Sequence, residues 1–279
     1  MSCSVTGLKQ NDYLLWTFAG TFSSFLISEI VTPSLSEKHF KEYGQLKRGQ
    51  CLEWRARWMS TVHAVLVCLI CIYSLIFSAA LQEDKLFGTD FLSEVTLCIS
   101  CGYMIYDMIT MPMYSSGKGL FTYVVHHGVV ILGYYYILHR GIGKFYVLLK
   151  LLTELSTPLI NIRWILRAMK VPSNDLRVAA CTVAFGVVFV SIRVFASIPF
   201  WISFQGTLNR QNGRDNHDLI REASIVFYIL GITLDVLNIT WTIVIWFLFR
   251  RALRDLTNCT RGKSNGPCTQ ENNANEKSS

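Results

Sequence analysis

Seven long apolar blocks, at residues 13–31, 61–81, 91–114, 120–138, 145–163, 176–203 and 223–249, leave this chain few folds to choose from. A helix that crosses the hydrocarbon core of a bilayer needs roughly 20 predominantly apolar residues. Inside that core the backbone amides must be bonded within the segment, which excludes loops and open strands. Only 16% of the 279 residues are charged, against about 25% in soluble domains. The expected fold is an all-α membrane protein of about seven transmembrane helices. The first block has only Lys9 ahead of it and no small-residue cleavage pattern, so it reads as a retained helix rather than a signal peptide. Little is left over for a soluble catalytic domain, and any chemistry belongs among the helices or at their ends.

The connections set the orientation. With the N-terminus outside, the inner segments carry seventeen Lys and Arg and the outer segments seven, leaving only Lys150 and Arg193 within the spans. This is the bias of the positive-inside rule, and it places the N-terminus in the lumen and the C-terminus in the cytosol. The formal charge of +7 is accounted for by that bias and implies no nucleic-acid partner. The tail beyond Thr257 is rich in Asn, Ser, Lys and Glu and reads as disordered. It holds the triplet Asn258-Cys259-Thr260, out of reach of glycosylation in a cytosolic tail, and Cys259 as a juxtamembrane palmitoylation candidate. Asn238-Ile239-Thr240 lies within a span. Two C-x-x-C pairs, Cys68/Cys71 and Cys98/Cys101, suggest a metal site in a soluble chain. In apolar helices cysteine packs as a small hydrophobe, so no metal and no disulfide is expected.

Ionisable side chains inside a span usually face the bundle interior. Isolated ones serve as interhelical hydrogen bonds, so alignment on helix faces is the useful test. Ser224, Tyr228, Gly231, Asp235, Asn238 and Thr242 recur at steps of three and four in the last block. Ser100, Tyr103, Asp107 and Thr110 do so in the third, and Lys150, Glu154, Thr157 and Asn161 in the fifth. Ser60 and His63 open the second. Lys150 and Glu154, four apart, are placed to pair, and Arg193 of the sixth block is expected to pair with Asp235. At a rise of about 1.5 Å per residue, His126 and His127 lie roughly as deep as Asp107, with Glu154, Asn161, Asp235 and Asn238 near the same layer. These seams predict a polar chamber open toward the cytosol.

Adjacent helical residues diverge by about 100°, so one of His126 and His127 faces the chamber while the other reaches a neighbouring helix. A neutral imidazole takes a proton or attacks an acyl carbonyl, with Glu154 or Asp107 placed to orient it; the alternative is a pair that only hydrogen-bonds across helices. Six histidines without repeated boxes are too few for a membrane di-iron enzyme. A heptahelical receptor lacks its acidic-Arg-aromatic triplet and its extracellular cysteine pair here.

The run from His126 to Trp164, HHGVVILGYYYILHRGIGKFYVLLKLLTELSTPLINIRW, resembles the signature of the TLC-domain family of TRAM, Lag-type ceramide synthases and a neuronal-lipofuscinosis protein. The likeness extends to GYMIYDMI at 102–109, RVFASIPF at 193–200 and DVLNITW at 235–241, and it is greatest to the small type-four group. It implies a TLC domain over residues 55–250, in which six helices close around a central cavity. An N-terminal helix and basic loop (1–54) would precede it, and the tail (251–279) would follow. It also implies a membrane of the endoplasmic reticulum and a part in lipid homeostasis, with membrane lipids as partners. In ceramide synthases the paired histidines serve acyl transfer from acyl-CoA to an amine. His126 and His127 carry over, but the His-Asp-x-x-Asp that follows reads Thr153-Glu154-Leu155-Ser156-Thr157 here. One carboxylate survives as Glu154, so acyl transfer stays open while ceramide synthesis does not follow. His126, His127 and Glu154 are thus the catalytic candidates. Asp107, Asn161, Arg193, Asp235 and Asn238 are the substrate-binding candidates. No cofactor is implied, acyl-CoA entering only as a co-substrate.

Overall fold

The computed structural model describes residues 7–211 and 216–263, without the side chains of Lys118 and of 258–263. Seven helices are long and apolar enough to cross a membrane: α1 (Gln10–His39), α2 (Arg48–Phe77), α3 (Phe91–Met113), α4 (Gly119–Arg140), α5 (Lys144–Ala168), α6 (Leu176–Arg210) and α7 (His217–Thr257). The described residues contain no strand. Helix α2 starts at Arg48, well before its apolar block. Its charged first turns are satisfied in place, Arg57 by Glu53 one turn back at 2.9 Å and Arg55 by Glu29 of α1 at 2.5 Å. The last helix continues to Lys263, and the remainder of the expected disordered tail lies outside the described residues. So does Cys3, and the side chains of Asn258, Cys259 and Thr260 are among those not described.

Helices α2, α3, α4, α7, α6 and α5 pack in that order, and α5 returns to α2, so six helices close a ring. Helix α1 stands outside it against α3. The α1–α3 crossing is a backbone-to-backbone contact made by two glycines. A Cβ on Gly102 would lie 2.2 Å from the Thr17 carbonyl oxygen, and one on Gly20 would lie 2.5 Å from that of Ile99. The Thr21 hydroxyl donates to the Gly102 carbonyl at 3.1 Å across the same point. In lipid there is no hydrophobic drive to join helices, and small residues that permit close approach supply the contact instead. The core inside the ring includes Cys71, Cys98 and Cys101, each buried among Leu, Ile and aromatic side chains as small apolar residues.

Three helices depart from α geometry where they carry charge. Helix α1 widens to a π segment at Ile27–Val31, which contains Glu29. Helix α5 tightens to a 3-10 segment at Leu152–Ser156 and resumes at Thr157 with Pro158 in its first turn. There proline loses no bond, because its missing N–H would have been unpaired at a helix start. Helix α6 widens to π at Val190–Phe195 around Arg193. Single-turn π segments concentrate at functional positions.

Replacing Gly102 with leucine is expected to separate α1 from α3 and cost more than the roughly 1–3 kcal/mol typical of overpacking. Gly128→Ala, whose Cβ would meet nothing within 4 Å, should be neutral. Thermal midpoints of the two purified variants in one detergent check this; equal midpoints would contradict the contact.

Candidate functional site

The ring holds a half-open cavity of about 90 Å³, lined by α4, α5, α6 and α7, with Met104 of α3. Its walls are largely apolar, formed by residues such as Val129, Val130, Ile137, Leu151, Val226, Leu230 and Leu234. This corrects the expected polar chamber: the polar residues gather at one end. Toward the α4–α5 turn lie Ile137, Val147, Phe200 and Phe227, and away from it lie His126, Glu154, Arg193 and Asn238, with Lys150 and Thr153 between.

The ion pairs also differ from expectation. Lys150 donates to Asp235 Oδ1 at 2.8 Å, and Arg193 Nη2 lies 3.4 Å from Glu154 Oε1. The predicted Lys150–Glu154 and Arg193–Asp235 pairs are therefore exchanged. The 3-10 segment is the reason. At three residues per turn, positions four apart no longer share a face, so Glu154 swings away from Lys150 and toward α6. The π segment of α6 in turn brings Arg193 to Glu154 and not to Asp235, which sits beside Lys150.

Lys150 and Asp235 form a saturated cluster. Ser197 and Trp201 both donate to Asp235 Oδ2, at 2.8 and 2.7 Å. Lys150 also reaches the Ser197 hydroxyl at 3.3 Å and stands 4.3 Å over the Phe200 ring. Asp235 thus supports the cavity from behind Lys150 without lining it. The Arg193 set is looser: Nε donates to Ser156 Oγ at 3.2 Å and Nη1 to Asn238 Oδ1 at 3.5 Å. Glu154 additionally accepts from Thr157 at 2.7 Å.

The two histidines divide as helical geometry demands. His126 lines the cavity between the rings of Trp241 and His127, at 5.4 and 5.5 Å, and its buried Nδ1 has no protein partner. His127 turns to the neighbouring helix. Its Nδ1 donates to the Tyr123 carbonyl at 2.9 Å, and its Nε2 lies 3.2 Å from Asp107 Oδ2. A carbonyl only accepts, so Nδ1 carries a proton. The His127–Asp107 pair then shares one further proton across the Nε2 contact. Asp107, which also accepts from Tyr114 at 3.5 Å, therefore contacts His127 and not the cavity. His63 stacks on Tyr103 of α3, ring centroids 3.9 Å apart.

Asn161 does not reach the cavity at all. It is buried and fastens α5 to α2, donating to the Arg57 carbonyl and to Thr61 at 3.1 and 3.0 Å and accepting from Arg57 Nη1 at 3.1 Å. The stripe that contained it is broken by the same 3-10 turn.

The sequence reading passed over a second buried cluster. Glu94 accepts from the Leu8 amide at 2.5 Å, Tyr13 at 3.1 Å, Thr89 at 3.0 Å and Lys144 at 3.1 Å, and the Lys144 and Glu94 side chains are each 3% exposed. It joins the chain before α1 to the starts of α3 and α5. A second carboxylate in the third apolar block, besides Asp107, was the available signal.

A ring of six membrane-length helices around a largely apolar cavity with charged groups at one end defines a multi-pass membrane protein. The family model for the TLC domain, which unites TRAM, LAG1 and CLN8, matches residues 53–247. The chain belongs to this family. It is 32% identical over 228 residues to TLC domain-containing protein 4-B of Danio rerio, covering 81% of this chain and 85% of the relative. To human TLC domain-containing protein 4 it is 29% identical over 230 residues, covering 80% and 81%. To TLC domain-containing protein 1 of Gallus gallus it is 30% identical over 128 residues, covering 46% and 51%.

Double-mutant cycles test the exchanged pairs. Lys150→Met with Asp235→Asn, and Arg193→Met with Glu154→Gln, should each show a stability coupling above about 1 kcal/mol, as contacting residues do. The crossed combinations, 150 with 154 and 193 with 235, should stay under about 0.5 kcal/mol. Couplings of the opposite ranking would restore the sequence-based pairing.

Proposed function

We propose that the cavity receives one acyl chain of a membrane lipid and that the protein acts in this way on membrane lipid composition. The supporting observation is its asymmetry: apolar walls end in a layer holding His126, Glu154, Arg193 and Asn238. An acyl chain satisfies the walls, while a carbonyl or amide at its head meets the loosely held Arg193 and the His126 ring at that end of the cavity. The partners on this reading are membrane lipids, and the setting is the endoplasmic reticulum, with the N-terminus lumenal and the C-terminus cytosolic as the basic residues suggest.

A second reading is acyl transfer, and it draws on the His126 ring at the cavity wall. As general base, the imidazole would take the proton from a lipid amine or hydroxyl as that group attacks the thioester carbonyl of an acyl-CoA. The new amide or ester bond forms as the carbon–sulfur bond breaks, and the leaving CoA thiolate takes the proton from the imidazolium, which returns His126 to its neutral form. Glu154 lines the same end of the cavity and would stabilise the imidazolium. His127 would be a positioning residue through Asp107 rather than a second base. In both readings Asp107 and Asp235 support the site from outside the cavity, while Asn161 belongs to the helix packing.

An untargeted lipid comparison between cells expressing the protein, cells lacking it and cells with His126→Ala checks both. A compositional change that the variant abolishes, with normal accumulation in the membrane, is the catalytic outcome. A change that the variant keeps at least in part, and that Leu230→Trp in the cavity wall abolishes, is the binding outcome. No lipid change in any comparison would contradict the reading as a whole.

A further inference from the structure

Beyond its π segment, the part of α6 from Ser197 to Arg210 meets α7 through aromatic rings. Trp201 stacks on Tyr228, with ring centroids 5.3 Å apart and planes 13° from parallel. One turn further along, Phe204 stacks on Phe227 at 5.0 Å. The two pairs close the same seam unequally. Phe204 is 1% exposed and is also packed by Phe200 and Tyr146. Trp201 instead lines an open groove on the outer surface, with Gln205, Tyr228 and Ile232. Around membrane-spanning helices that surface faces the bilayer, and Ile232 is 52% exposed to it.

On its inner side the Trp201 indole lies on Gly231, which lines the cavity. A Cβ on Gly231 would stand 2.8 Å from both Cζ2 and Cη2 of the indole, so the ring fills the space that a side chain would take. At this level a single indole separates the cavity from the groove. Its one hydrogen bond runs from Nε1 to Asp235 Oδ2 at 2.7 Å. When the indole leaves, Asp235 keeps Lys150 and Ser197, each at 2.8 Å. Opening therefore orphans no buried carboxylate. The first half of α6 differs, because Phe185 and Phe189 form a buried cluster there with Ile245 of α7. An acyl chain that enters sideways between helices stays out of water throughout, as its apolar surface demands.

We propose that the seam between the second half of α6 and α7 is the lateral entrance by which an acyl chain passes from the bilayer into the cavity, with Trp201 as its door. This rests on the reading of the cavity as an acyl-chain site and adds the route to it.

Timed photolabelling tests the entrance. Palmitic acid with a terminal diazirine is mixed from donor vesicles with the full chain in phosphatidylcholine nanodiscs and photolysed at intervals. Adducts on Val130 and Leu234 of the cavity wall report loading, and a chase of unlabelled palmitic acid reports release. Trp201→Phe deletes the N–H and shortens the ring, while Gly231→Ala pushes the indole outward without altering it. Each should speed loading and release together roughly fivefold, the weight of one hydrogen bond, with the final adduct level within about twofold. Trp241→Phe, at the other end of the cavity beside Tyr123 and His126, should leave both rates unchanged. No adducts on the cavity wall of the unaltered chain would overturn the acyl-chain reading and the entrance with it. Adducts that form at unchanged rates in both seam variants, or faster only in Trp241→Phe, would overturn the entrance alone.

Discussion

A charge inside a bilayer has to be paired, and in this protein the pairing runs between helices rather than along them. Lys150 of α5 meets Asp235 of α7, and Glu154 of α5 meets Arg193 of α6. Removing one member of such a pair leaves a buried charge and typically costs about 3–5 kcal/mol, although the intact pair adds little to stability over an apolar core. The pairs therefore matter as fixings of position. They hold α5, α6 and α7 in one register, and that register gives the central cavity its charged end. The two departures from α geometry, a 3-10 turn before Pro158 and a π turn around Arg193, are what make the crossed pairing reachable.

The remaining polar contacts divide by task. Glu94 and Lys144 tie the starts of α3 and α5 to the chain ahead of α1. Asn161 fastens α5 to α2, and the Gly20–Gly102 contact holds α1 on the outside of the ring. These are fully partnered and read as architecture. His126 differs because it lines the cavity while its buried Nδ1 has no partner, and buried polar atoms in folded proteins rarely lack one. Its neighbour His127 is held at both nitrogens. Two identical residues, adjacent in sequence, thus have opposite hydrogen-bonding situations, and only His126 lines the cavity.

Much of this was legible in the sequence. Apolar blocks of membrane length located all seven spans, and the three-four spacing put Asp235 and Asn238 on one face of α7, although Asp235 meets Lys150 and not Arg193. The 100° step between adjacent residues was enough to split His126 from His127. The pair assignments were not legible, because they assumed an unbroken α-helix through residues 150–161. A single 3-10 turn moves Glu154 off the Lys150 face and leaves Asn161 facing α2, and nothing in periodicity announces such a turn except Pro158 after it. The cavity wall was misjudged for a related reason. Polar residues aligned on several helices indicated a polar chamber, whereas Lys150–Asp235 and His127–Asp107 consume each other's polarity and leave a mostly apolar surface.

The central claim is that the paired charges cap an interior cavity that admits an acyl chain. A fatty acid carrying a diazirine near the chain end, fed to cells and photolysed in the membrane, tests it most directly when the crosslinked peptides are mapped by mass spectrometry. The structure predicts adducts on the cavity wall at Val130, Leu230 and Leu234, reduced when Leu230 is replaced by tryptophan. Adducts confined to the outward residues of the same helices, Leu132, Ile229 and Val236, each more than half exposed, would show that the chains stay in the bilayer and would contradict the account.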